Sequence, residues 1–472
     1  ISTDSKNPTA TAKFTAEITP SEFAVFYPPL EKIPSKAYLD GELSASPSLA
    51  DISLKAELPA ESRLNLVAHA EGDFKSKDII KSVALSVPTF DAHLSKSLLS
   101  SVKAVVPKIP DKLISSDMTL SMKGDLDSKM ANLEGTAKAG ASQLVFDVKA
   151  VPSPLAAKTS TIEGRFDVKQ VDLATWVPSL KVIGPINGKL QAKATVQDFK
   201  HISQADIEGD FTSQMVNNYV YNNLSLKGGL HDGNITGDVV LTDPNILLTA
   251  NVQIGQESSE VTLSVDDFRP NVLFGKSDAQ HADTYGFDAV LRVFGSLKQP
   301  IDSIEGHLAL SDISIEKPDG RELYIDRVDI STGTDEFGRI IAIDSDMLTG
   351  SLAGHYGFKN LVPATKALLF SAIPGLASED YVPYGIDARL HLNAQPDREL
   401  CDFFKVPLEP LVPIIVNADL NDSERKMSLV VDAPYIRQKN KLIEGSHIDF
   451  ELSPPVDSTN LSLVSLSANT LY

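Results

Sequence analysis

Residues 235–254 read ITGDVVLTDPNILLTANVQI. Apolar residues alternate with polar ones on both sides of the break at Asp243-Pro244-Asn245. This period of two predicts two β-strands, each with one apolar face and one polar face. The same alternation recurs along the chain roughly every ten to twelve residues, as in antiparallel meanders. The sequence therefore predicts an all-β fold with on the order of thirty strands.

Helical patterns are few and short. They fall near residues 98–106, 171–177, 361–373 and 399–405. None of them is long enough to cover the apolar faces of so many strands. The third pattern is apolar on one side, and we expect its helix to cap or plug the groove that the strands form rather than lie free in solvent. Its apolar residues are Leu361, Val362, Leu368, Leu369 and Ile373.

Uncovered apolar faces must meet each other or something that is not protein. We therefore expect one elongated, twisted antiparallel sheet that curls into a hydrophobic groove, a shape called a β-taco, over residues 1–472 without an internal linker. Glycines that recur on the apolar parity of the strands favour such curvature, because glycine in a strand marks a bend or a close approach of backbones. These glycines are Gly135, Gly164, Gly188, Gly209, Gly228, Gly237 and Gly306.

Composition narrows the class of protein. The chain is 42% hydrophobic with a net charge of −20, and Lys and Arg are scattered, which argues against a nucleic-acid partner. The single Cys401 excludes an internal disulfide framework. No apolar run approaches the roughly 18 residues of a membrane-spanning helix. Because the sequence opens with ISTDSKNPTA, we expect it to be an excised part of a longer chain, so that any membrane anchor or targeting segment would be missing from it.

Catalytic and metal-binding motifs are absent from the sequence, so we expect neither an enzyme nor a cofactor or metal site. The most distinctive feature is the apolar face itself. A groove for nucleic acid needs aromatic and basic side chains, whereas an acyl chain needs only apolar surface, which gains about 25 cal/mol per Å² removed from water. The same residues could instead be ordinary core that faces an opposite wall of the curl.

We predict a set of aliphatic and aromatic side chains that line the groove and contact phospholipid acyl chains. The predicted lining residues are Phe211, Leu224, Leu226, Leu230, Ile235, Val239, Leu241, Ile246, Leu248, Val252, Ile254, Phe287, Leu291, Val293 and Leu308. The polar residues between them, such as Lys227, Asp238 and Asn251, are expected to face solvent, because side chains alternate across a strand.

One stretch carries a resemblance to a known family. Residues 166–254 contain strands of the type G-x-φ-x-φ, then a Y-x-φ-x-N-φ strand and a hairpin closed by glycine, where φ is an apolar residue. The matching positions are Gly188, Leu190, Gly209, Phe211, Tyr221, Asn223, Leu224, Gly233 and Gly237. In these features the chain resembles the AsmA/TamB superfamily of envelope proteins, and residues 340–376 and 402–437 look like its TamB branch.

The resemblance implies a β-groove that is anchored in the inner membrane and crosses the periplasm of a Gram-negative cell. It implies either of two functions. One is a conduit that carries phospholipid between the inner and outer membranes. The other is a factor that assembles outer-membrane barrels together with an Omp85-type partner, with its edge strands pairing to the nascent barrel. A purely structural solenoid is a third possibility.

Overall fold

A computed structural model describes residues 9–25, 28, 31, 36–78, 82–105, 114–153, 157–172, 183–197, 201–295, 304–371, 382–438, 441–453 and 463–471. Strands hold 68% of these residues and helices 10%, so the predicted all-β class is confirmed. The chain divides into two compact units, residues 1–243 and residues 244–472.

Within the described residues the first unit has thirteen strands, and each pairs antiparallel with the next along the chain. The strands are β1 (Ala10–Ile18), β2 (Ala37–Ala45), β3 (Leu49–Leu58), β4 (Ser62–Gly72), β5 (Val83–Leu94), β6 (Met118–Leu126), β7 (Ala131–Ala139), β8 (Ser142–Val151), β9 (Thr159–Asp172), β10 (Ile183–Gln197), β11 (His201–Val216), β12 (Tyr219–His231) and β13 (Asn234–Asp243). Short polar turns join most of them, and the result is one long meander.

The second unit repeats this plan. Its strands are β14 (Ile246–Ile254), β15 (Ser258–Phe268), β16 (Thr284–Phe294), β17 (Glu305–Glu316), β18 (Glu322–Asp335), β19 (Gly338–Ser345), β20 (Leu348–His355), β21 (Asp387–Ala394), β22 (Glu409–Pro410), β23 (Ile414–Asn421), β24 (Lys426–Gln438), β25 (Lys441–Ser453) and β26 (Leu463–Leu471). They also form an antiparallel meander, except that β21 pairs with β23 and the two-residue β22 pairs with β24.

Helices are short, and three of the four predicted ones are found. They are α1 (Lys96–Val105), α3 (Phe358–Ser371) and α4 (Arg398–Phe403), while α2 (Pro270–Leu273) and a 3₁₀ turn at Pro20–Phe23 were not predicted. The helix predicted at 171–177 is wrong for Val171 and Asp172, which end strand β9, and its remaining residues lie outside the described ones. There Val171 pairs with Ile186 of β10, so strand pairing prevails over the short helical pattern.

Helix α3 packs against the sheet of the second unit, so the expectation that it does not lie free in solvent is confirmed. Its buried Ala364 and Leu368 form one hydrophobic cluster with strand residues. The strand residues of this cluster are Leu352, Ala388, Leu420, Met427, Phe450 and Leu452, with Ile386 just before β21. The prediction was wrong for Val362, which faces solvent, and Ile373 lies outside the described residues. The inward side of α3 therefore follows the spacing 361, 364, 365 and 368.

Glycines on the apolar parity stand where strands approach closely or where an aromatic ring lies over them. A Cβ on Gly135 would lie 2.5 Å from the carbonyl oxygen of Ser121 and 2.8 Å from the ring of Phe146. The ring of Phe166 lies over Gly164 in the same way. Gly237 differs, because its nearest neighbour would be 3.6 Å away. The expected close approach of backbones thus holds at Gly135, whereas the near neighbour of Gly164 is a side chain and Gly237 has no neighbour closer than 3.6 Å.

Candidate functional site

Strand register aligns the apolar residues of the first unit into continuous rows. One row, here called the Ala16 row, takes one residue from each of the thirteen strands, and alternating alanine and leucine fill its first eight positions. Its members are Ala16, Leu39, Ala56, Leu64, Ala92, Leu120, Ala137, Leu144, Val168, Gly188, Phe211, Leu224 and Leu241.

A second row lies two residues away on the same face and also crosses all thirteen strands. This Phe14 row consists of Phe14, Gly41, Leu54, Leu66, Phe90, Met122, Gly135, Phe146, Phe166, Leu190, Gly209, Leu226 and Val239. No polar side chain interrupts either row. The face that carries both rows is called the first apolar face.

Over strands β6–β13 the first apolar face is two rows wider. These additional rows begin at Gly124 and Leu126 of β6 and end at Gly237 and Ile235 of β13. They consist only of Gly, Ala, Val, Leu and Ile. Four parallel rows without a single polar side chain therefore cover strands β6–β13.

The first apolar face is only partly buried. In the Phe14 row only Gly41 and Gly209 are buried, and every member that has a side chain keeps contact with solvent. In the Ala16 row the buried members are Ala56, Ala92, Val168 and Leu241. A face that packed against an opposite wall of protein would bury its large side chains before its alanines. Phe14 is exposed and the other side chains of the row are half-buried, so the Phe14 row is less completely covered than an ordinary core.

A cavity of about 1100 Å³ lies over strands β1–β6. Its lining contains six consecutive members of the Ala16 row, from Ala16 to Leu120, and twelve polar or charged residues that flank them in the strands, such as Asp40, Arg63 and His93. Because side chains alternate across a strand, most of this lining belongs to the polar face of the sheet. The cavity exceeds the usual volume of a small-molecule pocket, which is about 300–1,000 Å³.

The second unit carries a comparable row, here called the Val252 row, across eleven strands. Its members are Val252, Val261, Leu291, Leu308, Ile330, Ile343, Gly350, Leu392, Val416, Val431 and Ile448. None of them is buried, and Leu291 and Ile448 are exposed. The face that carries this row is called the second apolar face.

The fifteen predicted lining residues fall on these two faces. In the first unit Phe211, Leu224 and Leu241 are consecutive in the Ala16 row, and Leu226 pairs with Val239 in the Phe14 row. Leu230 pairs with Ile235 further along the same strands. Of the fifteen, Leu241, Ile246 and Val293 are buried, Ile235 and Leu291 are exposed, and the other ten are half-buried.

In the second unit the register links the remaining predicted residues. Leu248 and Phe287 both pair with Val265, and Val252 lies in one row with Leu291 and Leu308. Ile254 and Val293 both pair with Ser259, a buried polar residue that interrupts this apolar row. Ile246 has the parity of Leu248 on β14. The predicted lining is therefore continuous within each unit except at Ser259.

The predicted residues cover only part of the first apolar face, because the predicted set begins only at residue 211. Phe14, Phe90, Phe146 and Phe166 belong to the same row as Leu226, yet none of them was chosen. The signal that finds them was already present in the sequence. It is the same alternation of apolar and polar residues in β1, β5, β8 and β9.

The opposite face of the sheet is polar and carries ion pairs between neighbouring strands. Lys123 lies 2.5 Å from Glu134, and Lys193 lies 2.7 Å from Glu163. The hydrogen bond and charge of Glu134 raise the pKa of Lys123, and those of Lys193 lower the pKa of Glu163. The residues expected to face solvent, Lys227, Asp238 and Asn251, are exposed, so the predicted division of polar from apolar side chains is confirmed there.

The described part of the chain shows no group of three or more His, Cys, Asp or Glu side chains that could hold a metal ion. Among the same residues, no helix is long and apolar enough to cross a membrane.

No protein-family model, curated protein or solved structure matches the chain. The function must therefore be inferred from the two apolar faces and the chemistry that their side chains permit.

Proposed function

We propose that the protein is a non-catalytic lipid-transfer protein, and that each apolar face lines a hydrophobic groove for phospholipid acyl chains. The observation that carries this proposal is the Phe14 row, in which thirteen consecutive apolar positions leave every side chain in contact with solvent. Soluble proteins rarely expose contiguous apolar patches larger than a few hundred Å² unless something binds there. An apolar ligand is thus the fitting partner for this surface.

An acyl chain suits these rows better than a polar ligand does. It makes no hydrogen bonds, and the rows offer none from their side chains. Strands lie about 4.8 Å apart, so a row of thirteen extends about 60 Å along the sheet. One acyl chain spans about half of a hydrocarbon core that is about 30 Å thick. Several chains can therefore lie along one row, and because neighbouring positions are alike, a chain can slide without meeting a trap.

The resemblance to the AsmA/TamB superfamily supplies the cellular part of the proposal. On that basis the protein works in the periplasm, where it carries phospholipid between the inner and outer membranes next to an Omp85-type barrel. The acidic, polar opposite face fits an aqueous compartment, since charged side chains there remain in water.

Lipid that co-purifies with the protein tests the proposal. Leu226→Asp places a charge in the Phe14 row, whereas Ser225→Asp places the same charge on the exposed opposite face of the same strand. An uncompensated charge on an apolar lining costs several kcal/mol. We expect mass spectrometry to find phospholipid in the wild type and Ser225→Asp, and roughly tenfold less or more severe loss in Leu226→Asp.

A second pair applies the same test to the other unit, with Val252→Arg on the apolar face and Asn251→Asp opposite it. All four variants should keep the β-sheet circular dichroism of the wild type. Equal lipid content in all four variants, or no phospholipid in the wild type, would show that the faces do not bind acyl chains.

One observation favours the second function, assembly of outer-membrane barrels. Strand β1 is mostly exposed, contains no proline, and within the described residues pairs only with β2. An open edge of this kind can accept a further strand. In this case an unfolded barrel protein should protect the amides of β1 from hydrogen exchange and leave bound lipid unchanged. Unchanged exchange in β1 would exclude this function for that edge.

A further inference from the structure

Helix α3 has a second side that the sheet does not use. Residues 359, 362, 366 and 370 are spaced so that they lie along the side of the helix opposite the buried Ala364 and Leu368. All four are exposed, with Val362 60% and Phe370 48% accessible. The outward stripe of α3, defined as these four residues, therefore alternates lysine with a large apolar side chain.

The charge of α3 is opposite to that of the protein. The sequence FKNLVPATKALLFS contains Lys359 and Lys366 and no acidic residue, although the whole chain carries a net charge of −20. Both lysines are exposed. Their side chains can extend to place the ammonium groups above the apolar surface beside them. A local positive charge on an acidic protein attracts an anionic partner.

One aromatic residue at the start of α3 extends the exposed surface beyond the stripe. Phe358 is exposed, and the guanidinium of Arg339 stands 4.4 Å from the centre of its ring. Phenylalanine and lysine on the exposed side of one helix are typical of helices that lie in the interface of a bilayer.

We infer that α3 docks the protein on the surface of a bilayer that contains anionic phospholipid. Phe370 and Val362 enter the boundary between headgroups and acyl chains, while Lys359 and Lys366 contact the anionic headgroups. The inward side of α3 stays on the sheet, so docking requires no unfolding. This inference is independent of the acyl-binding proposal, because the stripe and the apolar faces are different surfaces.

Vesicle flotation with the full chain tests the inference. We expect binding to vesicles of equal parts phosphatidylcholine and phosphatidylglycerol, weak binding to phosphatidylcholine alone, and a decrease as salt screens the lysines. The double variant Lys359→Gln, Lys366→Gln should weaken binding on the order of tenfold, and Lys359→Arg, Lys366→Arg should restore it. The double variant Val362→Ser, Phe370→Ser should weaken binding to a similar degree.

The matched control lies elsewhere in the second unit. Phe274 is 61% exposed, with Lys276 beside its ring, and the pair Phe274→Ser, Lys276→Gln should leave binding unchanged. Leu226→Asp should also bind vesicles normally, which separates docking from acyl binding. The α3 variants and the Phe274→Ser, Lys276→Gln control should melt at the wild-type temperature, because they alter exposed side chains.

Three results would overturn the inference. The first is a wild type that does not float with anionic vesicles. The second is binding that the α3 variants leave intact. The third is self-association in sedimentation velocity that the same α3 variants abolish while flotation is absent, which would make a second copy of the chain the occupant of the stripe.

Discussion

The Phe14 row and the row formed by Ala388, Leu420, Met427 and Leu452 are built in the same way, yet they differ in burial. Both are apolar positions aligned by antiparallel register. Helix α3 packs over the second row and leaves Leu452 almost fully buried, whereas the Phe14 row keeps its side chains in contact with solvent. The same strand pattern therefore gives core in one region and an open apolar surface in the other.

Alternation and register therefore define an apolar face but not what packs over it. In the second unit a helix of fourteen residues is the partner of one row. For the Phe14 row, the proposal assigns this role to acyl chains. The following substitutions test whether the two rows differ in how well they are covered.

The largest effect is expected from truncating matched leucines in the two rows. Leu452→Ala removes a buried side chain under α3 and should cost about 2–5 kcal/mol of unfolding free energy. Leu66→Ala in the Phe14 row removes a half-exposed side chain and should cost about 1 kcal/mol. Urea denaturation of lipid-free protein, followed by circular dichroism, measures both. Equal losses would mean that the Phe14 row is covered as well as the α3 row is.

Glycine substitutions should cause a smaller loss of unfolding free energy. This loss should be the same in both units, because it depends on how closely the strands of each sheet approach one another. A Cβ on Gly188 would overlap the carbonyl oxygen of Asp210, and a Cβ on Gly306 would overlap that of Arg292. Gly188→Ala and Gly306→Ala should each cost about 1–3 kcal/mol in the same denaturation assay. Gly237→Ala is the control and should be tolerated, since its Cβ would have no neighbour closer than 3.6 Å. A large cost in one unit only would show that the two sheets differ in strand approach.

The smallest effect concerns the polar faces. Lys193 lowers the pKa of Glu163, so their attraction is present above the ordinary pKa of a glutamate and disappears as the pH falls through the lowered value. Lys193→Gln should return the Glu163 pKa toward its ordinary range in an NMR titration. Because both groups are exposed, the free energy of unfolding should stay within experimental error. The Arg292–Glu260 pair of the second unit is also exposed, so Arg292→Gln should likewise leave the free energy of unfolding within experimental error. A measurable loss of stability in either unit would contradict the view that these faces are solvated.

Much of the fold was predictable because its signal is local. The alternation in Ile246, Leu248, Ala250, Val252 and Ile254 specifies a strand and its two faces without knowledge of any partner. The short helices were also found, except where Val171 and Asp172 extend β9. The sequence could not predict what packs over each face, because this depends on contacts between residues that are far apart in the chain.

Helix α3 illustrates the same limit. Its apolar residues indicated a helix that packs on the sheet, and Leu368 does so. Val362 was assigned to the same side and instead faces outward. Since apolar side chains occur on both sides of this helix, hydrophobicity alone could not tell its inward side from its outward one. Only the spacing of Leu361, Ala364 and Leu368 against the strands shows which side is buried.

Photo-crosslinking to lipid tests most directly whether the Phe14 row binds phospholipid acyl chains. A photo-reactive residue would be placed singly at Phe146 in the Phe14 row, at Leu452 under α3, and at Asp147 on the polar face next to Phe146. The full chain would be incubated with phospholipid vesicles, irradiated and examined by mass spectrometry. If the Phe14 row binds acyl chains, phospholipid adducts will form at position 146 and none will form at positions 452 and 147. Adducts at all three positions, or at none of them, would contradict acyl-chain binding by this row.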